Sequence, residues 1–545
     1  MPRRRTCSFG HAVLALLSFA VPLGAQENEP HRHGLDRLGR VSFPVSCTPE
    51  AQRRFDHAMA VLHSFWWEEG DTAFNAVLAA DSTCAMAHWG IALNAWGNPF
   101  AGGPTGPGLA KGAKAASRAA ALPAKTPRER GFIAAIGALY RHAESTPNTA
   151  RLQAYADTMA RLYRDHPRDV EVAIYHALGL VATAPRTDTT FAQQRRAIAI
   201  LEPLYARHPR HPGLAHYVIH AADSPALARL GLPAARRYAR IAPAAPHAQH
   251  MPSHIFVRLG LWDETVASNW ESFKAGMGYA EEIGLKGATP HELHALDYAV
   301  YGYLQRGQDS AARATVDVAR NIRPSDMRVL ISAYNGTALE ARIPLERGDW
   351  NAAAELPAPA DTSPPIAAVL RRFTRAIGSA RSGRAKEGQV ELAALDSLAK
   401  ALEPGPDAYW SRVARIKRDA AAAWAKLAEG DTAGALALAH TAAETEDVTD
   451  KHPVTPGELV PARELEADML LAVGRHREAR DAYRATLARE PGRARSLFGA
   501  ARAAELAGDR SGAAVDYRRF LQQMAKAAPG RPEIAAARAF SAASR

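Results

Sequence analysis

Histidine is concentrated in the middle of the chain, at spacings that suit metal binding or proton transfer. Nine of the 21 histidines fall between residues 208 and 294. Six of them recur at helical spacing and an aspartate follows the last; the set is His216, His220, His247, His250, His254, His294 and Asp297. Histidine is the commonest metal ligand and titrates near neutral pH. We therefore look for function in this set.

The spacing within this set suits chelation, because residues three or four apart lie on one face of a helix. A pair such as His250 and His254 can hold one metal ion, and a helix packed about 8–10 Å away can add a third ligand. The set exceeds what one tetrahedral site requires, which predicts two metal ions or histidines that orient other ligands. Asp297 is expected to complete a site or to orient a histidine. Imidazoles with one carboxylate suit Zn, Cu(II) or Fe(II).

Two other uses of the set stay open: a histidine-lined groove for a polar ligand or peptide without metal, and structural hydrogen bonding. Histidines outside the set are interpreted as structural or solvent-facing, among them His63, His176, His208 and His211. The run 291–294 reads HELH and departs from the zinc-protease motif HExxH, because its histidines are three residues apart instead of four. The sequence contains no GxSxG, no GxxxxGK(S/T) and no CxxCH, which argues against the standard hydrolase, nucleotide and haem classes.

The N-terminus has the features of a secretory signal. Arginines at 3–5 precede an apolar core at 12–23, so residues 1–25 are predicted to be removed and the protein to be periplasmic or secreted. With Cys7 in the signal, Cys47 and Cys84 remain. An even pair in an oxidising compartment predicts a disulfide, although two separate thiols or a metal-bound cysteine stay open.

Charge and hydropathy indicate which kinds of partner the protein is expected to bind. The net charge is +11, but basic residues are mixed with acidic ones, and no basic run is interleaved with aromatic residues. Nucleic-acid binding is therefore not expected. Beyond the signal, no stretch reaches the roughly 18 apolar residues of a membrane span, so no transmembrane segment is predicted. A peptide, a protein or a small ligand is the expected partner.

A repeat near the C-terminus predicts the fold. Segment 461–491 carries a small residue in its first half, the turn glycine Gly474, and then Ala479, Tyr483 and a closing proline. All of these except the proline recur 34 positions later, as Ala501, Gly508, Ala513 and Tyr517. Small residues let two helices approach closely, and the glycine separates them. Abundant alanine and scarce β-branched alternation place the chain in the all-α class.

This pattern resembles the tetratricopeptide repeat (TPR) family, whose period is 34 residues. The resemblance implies a right-handed α-solenoid of helix pairs over most of 48–525, with further turns at Gly260, Gly307, Gly348, Gly383 and Gly430. It also implies that the six histidines and Asp297 occupy positions of the first helices that line the concave groove. Glu464 and Asp468 fall on similar positions and are interpreted as solvated groove residues.

The chain is divided accordingly. After the signal we expect an N-terminal extension at 26–47, a histidine-lined solenoid at 48–354, a linker at 355–365, C-terminal repeats at 366–525 and a tail or capping helix at 526–545. A Gly/Pro-rich segment at 96–108 is interpreted as a connector, with folding over the groove as the alternative.

Together these features predict an extracytoplasmic binding protein with a histidine-lined, metal-binding concave groove, since repeat stacks build concave surfaces that bind partners. One alternative is a metal-dependent enzyme, for example an oxidoreductase, that uses the same histidines. The other is a metal-free scaffold for protein–protein interaction in the cell envelope.

Overall fold

A computed structural model describes residues 37–104, 106–322, 330–403 and 408–543 of the protein. Helices and the connections between them account for all of these residues, and no β-strand occurs among them, which confirms the predicted all-α class. None of the helices in these ranges is both long and apolar enough to cross a lipid bilayer. The predicted signal at 1–25 and the first part of the predicted extension lie outside the described residues.

The described ranges contain 26 α-helices. Those up to the last histidine of the set are α1 (Pro49–His63), α2 (Trp67–Ala80), α3 (Ala85–Trp96), α4 (Gly106–Ala121), α5 (Pro127–Tyr140), α6 (Asn148–Asp165), α7 (Val170–Ala182), α8 (Ala192–Arg207), α9 (Pro212–Ala222), α10 (Ala228–Ile241), α11 (Pro246–His250), α12 (Pro252–Leu259), α13 (Trp262–Glu282) and α14 (Pro290–Gln305). The rest are α15 (Asp309–Asn321), α16 (Leu330–Arg347), α17 (Trp350–Glu355), α18 (Pro365–Arg381), α19 (Ala385–Ala401), α20 (Ala408–Ala428), α21 (Thr432–Asp447), α22 (Ala462–Ala472), α23 (His476–Arg489), α24 (Ala494–Leu506), α25 (Arg510–Gln523) and α26 (Pro532–Ala543).

Each helix packs mainly against its neighbours in sequence, as expected for a stack of TPR-like helix pairs. Gly474 has a φ of 81° between α22 and α23, and Gly508 has a φ of 82° between α24 and α25. Residues with side chains rarely adopt this conformation, which explains glycine at both turns. Gly499 lets α24 approach α23, because a Cβ there would lie 2.4 Å from the ring of Tyr483. These contacts confirm the predicted repeat register near the C-terminus.

Proline sets the start of several helices that carry the histidine set. It occupies the first turn of α9, α11, α12 and α14. Main-chain N–H groups in the first turn have no acceptor within the helix, so proline costs no hydrogen bond there. The segment that holds His247, His250 and His254 is interrupted at Met251 and Pro252, so that α11 and α12 are separate short helices. Met251 keeps a right-handed helical conformation, and the three histidines therefore stay on neighbouring turns.

The N-terminal end of the stack carries the predicted disulfide. Cys47 and Cys84 are bonded, with 5.3 Å between their Cα atoms. The bond joins the segment before α1 to the start of α3. The predicted pairing is confirmed, and a metal-bound or free state of these cysteines does not apply.

The predicted linker exists as a break in the helices but does not divide the hydrophobic core. The chain is non-helical between α17 and α18, over 356–364. A single cluster of buried apolar residues nevertheless extends from Tyr334 to Met469 and includes Ala353 and Ile366 on either side of the break. A second large cluster extends from Leu38 to Phe256. The helices before and after the linker therefore belong to one packed unit.

The C-terminal part of the chain folds back onto the middle, so the stack is more closed than the extended solenoid that we expected. The ring nitrogen of Trp262 donates to the carbonyl of Gly492 at 3.1 Å, and Ala528 donates to the carbonyl of Gly307 at 2.9 Å. The connection between α21 and α22, at 448–461, reaches α14, where the Tyr298 hydroxyl donates to the carbonyl of Thr455 at 3.0 Å. The concave side of the histidine-bearing helices is therefore covered.

Candidate metal centre

The six predicted histidines come together as two groups of three. In the first triad (His216, His220, His247) and the second triad (His250, His254, His294), three ring nitrogens lie within 4.8 Å of one another. All six side chains are buried, at most 8% exposed. We expected them to line a concave groove, and this was wrong because other parts of the chain bury both triads.

The two triads are neighbours. Helix α9 supplies two members of the first triad, α11 supplies one histidine to each triad, and α12 and α14 complete the second. The ring centres of His220 and His254 are 6.0 Å apart, as are those of His247 and His250. Two metal ions held by the two triads would therefore share one buried centre.

Hydrogen bonds fix the protonation of two rings in the second triad. Nδ1 of His254 lies 2.8 Å from a carboxylate oxygen of Asp223 and donates its proton to it. Nδ1 of His250 lies 2.6 Å from the side-chain oxygen of Asn269. The amide nitrogen of Asn269 donates to the carbonyl of Thr265 at 2.7 Å, which fixes the oxygen toward His250. In the neutral rings, both Nε2 atoms are therefore lone-pair donors.

These two Nε2 atoms lie 3.0 Å apart. Two lone pairs at this distance repel each other unless a cation lies near both. Burial lowers the pKa of His250 and of His254, which disfavours a proton in this position. Two nitrogens bound to one tetrahedral metal ion at about 2.0–2.1 Å lie about 3.4 Å apart, close to the arrangement here. A separation of 3.0 Å also fits a hydrogen bond, so the directions of the outer hydrogen bonds, and not this distance, favour a metal ion over a proton.

The first triad is oriented by the end of α1, which is distant in the sequence. Nδ1 of His216 donates to the main-chain carbonyl of His63 at 2.7 Å, which leaves its Nε2 as a lone-pair donor 3.2 Å from Nε2 of His247. Among the described residues, Nε2 of His220 and Nδ1 of His247 have no hydrogen-bond partner. Burial lowers the pKa of His216 to about 3 and that of His220 well below its usual value. These rings are thus neutral, which is the form that binds a metal ion.

Aromatic side chains enclose the first triad. The ring of Phe65 lies 4.4 Å from that of His216, and Tyr238 stacks on His216 at 5.1 Å. The ring of Phe100 lies 4.2 Å from that of His220. Phe100 belongs to the Gly/Pro-rich segment that we interpreted as a connector, so part of this segment folds over the site, which was the alternative interpretation.

Asp297 lies outside both triads. Its carboxylate accepts two hydrogen bonds from Arg342, at 2.6 and 3.1 Å, and both side chains are fully buried. The expectation that Asp297 completes a site or orients a histidine was wrong, because α16 brings an arginine against it. The carboxylate that orients a histidine is Asp223, three residues after His220. Asp223 orients His254, which lies 31 positions further along the chain, so no local spacing indicates this contact.

A third cluster was missed altogether. Glu171 accepts from His63 at 3.0 Å and from His211 at 2.9 Å. Tyr217 lies 3.1 Å from the other nitrogen of His63, and the other nitrogen of His211 accepts from the main chain of Leu214. We call His63, Glu171 and His211 the Glu171 cluster. Burial raises the pKa of Glu171, but His63 and His211 outweigh this effect and hold it well below its usual range.

The carboxylates predicted to be solvated in the groove are instead buried in ion pairs. Glu464 is fully buried and pairs with Arg493 and Arg495. Asp468 pairs with Arg381 and Arg495. The interpretation as solvated groove residues was wrong, since α24 and α18 supply arginines that fill this part of the concave side.

A pocket of about 560 Å³ opens beside the two triads. Its wall includes His220 of the first triad and Asp223, the partner of His254. Helix α20 and the connection between α21 and α22 form the opposite side. The buried centre therefore has a route to a space large enough for a small molecule.

No protein-family model and no curated protein matches the sequence. Among solved structures, the chain is similar to a human IFIT1 dimer with m7Gppp-AAAA, with 12% identity and a TM-score of 0.38 over 80% of this chain and 90% of that one. Yeast Tom70 has 9% identity and a TM-score of 0.28 over 91% and 88% of the two chains. The TPR domain of P58(IPK) has 14% identity and a TM-score of 0.21 over 69% and 99%. The helix pairs themselves, rather than these low scores, identify the chain as a TPR-like helical-repeat protein.

Proposed function

We propose that the protein binds transition metal ions in a buried centre formed by the two histidine triads. The observation that carries the proposal is the pair of facing Nε2 atoms of His250 and His254. The Nδ1 atom of His250 already donates to Asn269, and that of His254 donates to Asp223. An imidazole held by a carboxylate through its second nitrogen is a common arrangement in metal sites. The second triad is thus the stronger site, and the first triad adds a neighbouring one.

The ligand set indicates which metals fit. Three neutral imidazoles suit Zn, Cu(II) or Fe(II), and a ring of oxygen ligands for Ca²⁺ is missing from both triads as described. Three protein ligands leave a tetrahedral ion with one free position, which is the usual number at catalytic zinc sites.

A second candidate function follows from the pocket. A protein that only stores or senses a metal ion needs no space beside it, whereas an enzyme needs a space for its substrate. The pocket that includes His220 and Asp223 favours a metal-dependent enzyme over a protein that only stores or senses metal. The N-terminal sequence supports a location outside the cytoplasm, which remains part of the proposal.

Metal analysis of protein purified without a histidine tag tests the proposal. The mature chain is stripped with a chelator, equilibrated separately with Zn, Cu and Fe(II), freed of unbound metal by gel filtration and measured by mass spectrometry. We expect at least one ion per chain of one of these metals. Traces of every metal, in protein whose circular dichroism shows intact helices, would contradict the proposal.

A further inference from the structure

The pocket beside the triads has an uneven charge distribution. Three basic residues line it, Arg186, Arg412 and Lys451, together with three acidic ones, Asp188, Asp223 and Asp450. An equal number of opposite charges suggests a neutral wall. The hydrogen bonds of the individual groups show instead which charges are already paired within the protein and which are not.

The carboxylates of the wall are already engaged. Asp223 accepts from His254, Arg258 and Lys451. Asp450 accepts from Arg258 at 2.8 Å. Asp188 accepts from the main chain of Thr190 and from its hydroxyl. Asp223, Asp450 and Lys451 are therefore compensated by opposite charges, whereas Asp188 bonds only to neutral groups and keeps its charge.

Two arginines of the wall have no such partner. Within the described residues, Arg412 forms no hydrogen bond or ion pair and is partly buried. The guanidinium of Arg186 donates to the carbonyl of Phe100 at 2.9 Å and lies 5.2 Å from the ring centre of Tyr409, again with no carboxylate within ion-pair distance in the described part of the chain. Two guanidinium groups without a carboxylate partner outnumber the single unpaired carboxylate, Asp188, so this wall attracts an anion.

Flat aromatic rings form another part of the wall. Tyr409 and Trp410 are edge to face with ring centres 4.9 Å apart, and Phe100 and Phe191 lie on the other side. Such rings favour a flat apolar ligand body. His220 also lines the pocket, and its buried Nε2 atom has no partner among the described residues.

We propose that this pocket binds a small organic carboxylate with a flat apolar body. Arg186 and Arg412 hold the carboxylate, because guanidinium groups match its geometry with paired hydrogen bonds. The apolar body lies along Tyr409 and Trp410, and the far end of the ligand points to His220. Recognition of the anion stands by itself, whereas the presence of a reactive metal ion at the far end rests on the proposed function.

Calorimetric titration of the mature chain with benzoate, phenylacetate and indole-3-acetate tests the inference, with phenylacetamide as the neutral counterpart. Both metal-loaded and chelator-treated protein are used. We expect at least one carboxylate to bind about tenfold more tightly than phenylacetamide. Arg412→Met should weaken that binding by about tenfold, and Arg186→Met/Arg412→Met by more.

Arg415→Met is the matched control, because Arg415 lies on the same helix but pairs with Glu403 at the surface. It should bind as the wild type does. Equal binding of acid and amide, unchanged affinity in the double variant, or no binding of any of the three carboxylates would overturn the inference. If such a result occurs in protein that takes up metal, the proposed function stands. Carboxylate binding by protein that takes up no metal supports the inference and overturns the proposed function.

Discussion

Two buried histidine clusters in this protein have similar compositions but opposite hydrogen bonding. In the Glu171 cluster, both rings donate to the shared carboxylate, and their remaining nitrogens face a hydroxyl or a main-chain N–H. In the second triad, both rings of the α11–α12 pair donate away from each other, and their Nε2 atoms face each other. Every ring nitrogen of the Glu171 cluster has a hydrogen-bond partner without an ion, whereas the facing Nε2 atoms of the second triad need a cation between them. Hydrogen-bond direction thus distinguishes the two where composition and burial do not.

The largest expected effect is the loss of metal on removal of the facing pair. His250→Ala/His254→Ala deletes two of three ligands, and even an outer hydrogen-bond partner is worth about 10–100-fold in metal affinity. We therefore expect affinity, measured by competition with a chromophoric chelator, to fall by more than about 100-fold. His208→Ala, at an exposed histidine in the same sequence window, is the control. If the double variant retains metal at full affinity, the second triad is not the metal site, and its distinction from the Glu171 cluster is wrong.

Disruption of the Glu171 cluster should change stability but not metal binding in the second triad. Glu171→Gln replaces a carboxylate that accepts from two buried imidazoles with an amide that cannot accept from both in the same way. Breaking a buried ionic group costs about 3 kcal/mol. Urea unfolding should show this loss, while metal content stays at the wild-type level. A Glu171→Gln protein of unchanged stability that loses its metal would reverse our assignment of the two clusters.

A smaller effect is expected when the carboxylate behind His254 is neutralised. Asp223→Asn keeps an oxygen near Nδ1 but removes the charge that fixes the ring, so metal affinity should fall by about 10–100-fold. Asp450→Asn is the matched control, because Asp450 shares Arg258 with Asp223 but has no histidine partner within the described contacts. Equal affinities in the two variants would mean that Asp223 does not support the site.

The smallest effect concerns Glu446, whose surroundings raise its pKa, whereas those of Glu171 lower it. Burial and the neighbouring Glu458 raise the pKa of Glu446 to about 8, from 4.5 in the unfolded chain. Between these values the folded protein holds a proton that the unfolded chain releases, so stability falls as pH rises. Glu171, with its pKa held low, contributes stability that is lost as pH falls.

Glu446→Gln should therefore be more stable than the wild type near pH 9, by about 1 kcal/mol because Glu446 is partly exposed and solvent screens the effect. Near pH 5 both proteins should melt at the same temperature. Titrating groups other than Glu458, which interacts with Glu446, cancel in this difference. A variant that is less stable at both pH values would show that Glu446 is charged and paired in the folded protein.

Local patterns in the sequence predicted much of the fold and indicated the six histidines as one set, but not their division into triads. Turn glycines such as Gly474 mark helix borders wherever they occur, because positive φ is a local requirement. The same helical spacing that pairs His216 with His220 and His250 with His254 also brings them to one side of their helices. This information lies within a few residues of each site, so no tertiary contact was needed to find it.

The partners that decide the chemistry could not be predicted in the same way. His63 meets Glu171 from 108 positions away, and Asp297 meets Arg342 from 45 positions away. Covering of the groove depends on the connection between α21 and α22, which follows the histidines by more than 150 positions. Neither periodicity nor composition indicates which of several charged residues closes such a contact.

The most direct test is an anomalous-scattering difference map from crystals of the metal-loaded, tag-free protein, recorded at the absorption edge of the bound metal. The account predicts a peak about 2.0–2.1 Å from Nε2 of both His250 and His254, with His294 as the third ligand. A second peak at His216, His220 and His247 would extend the centre to two ions. A peak within the Glu171 cluster, or no peak while the two Nε2 atoms still face each other, would contradict it.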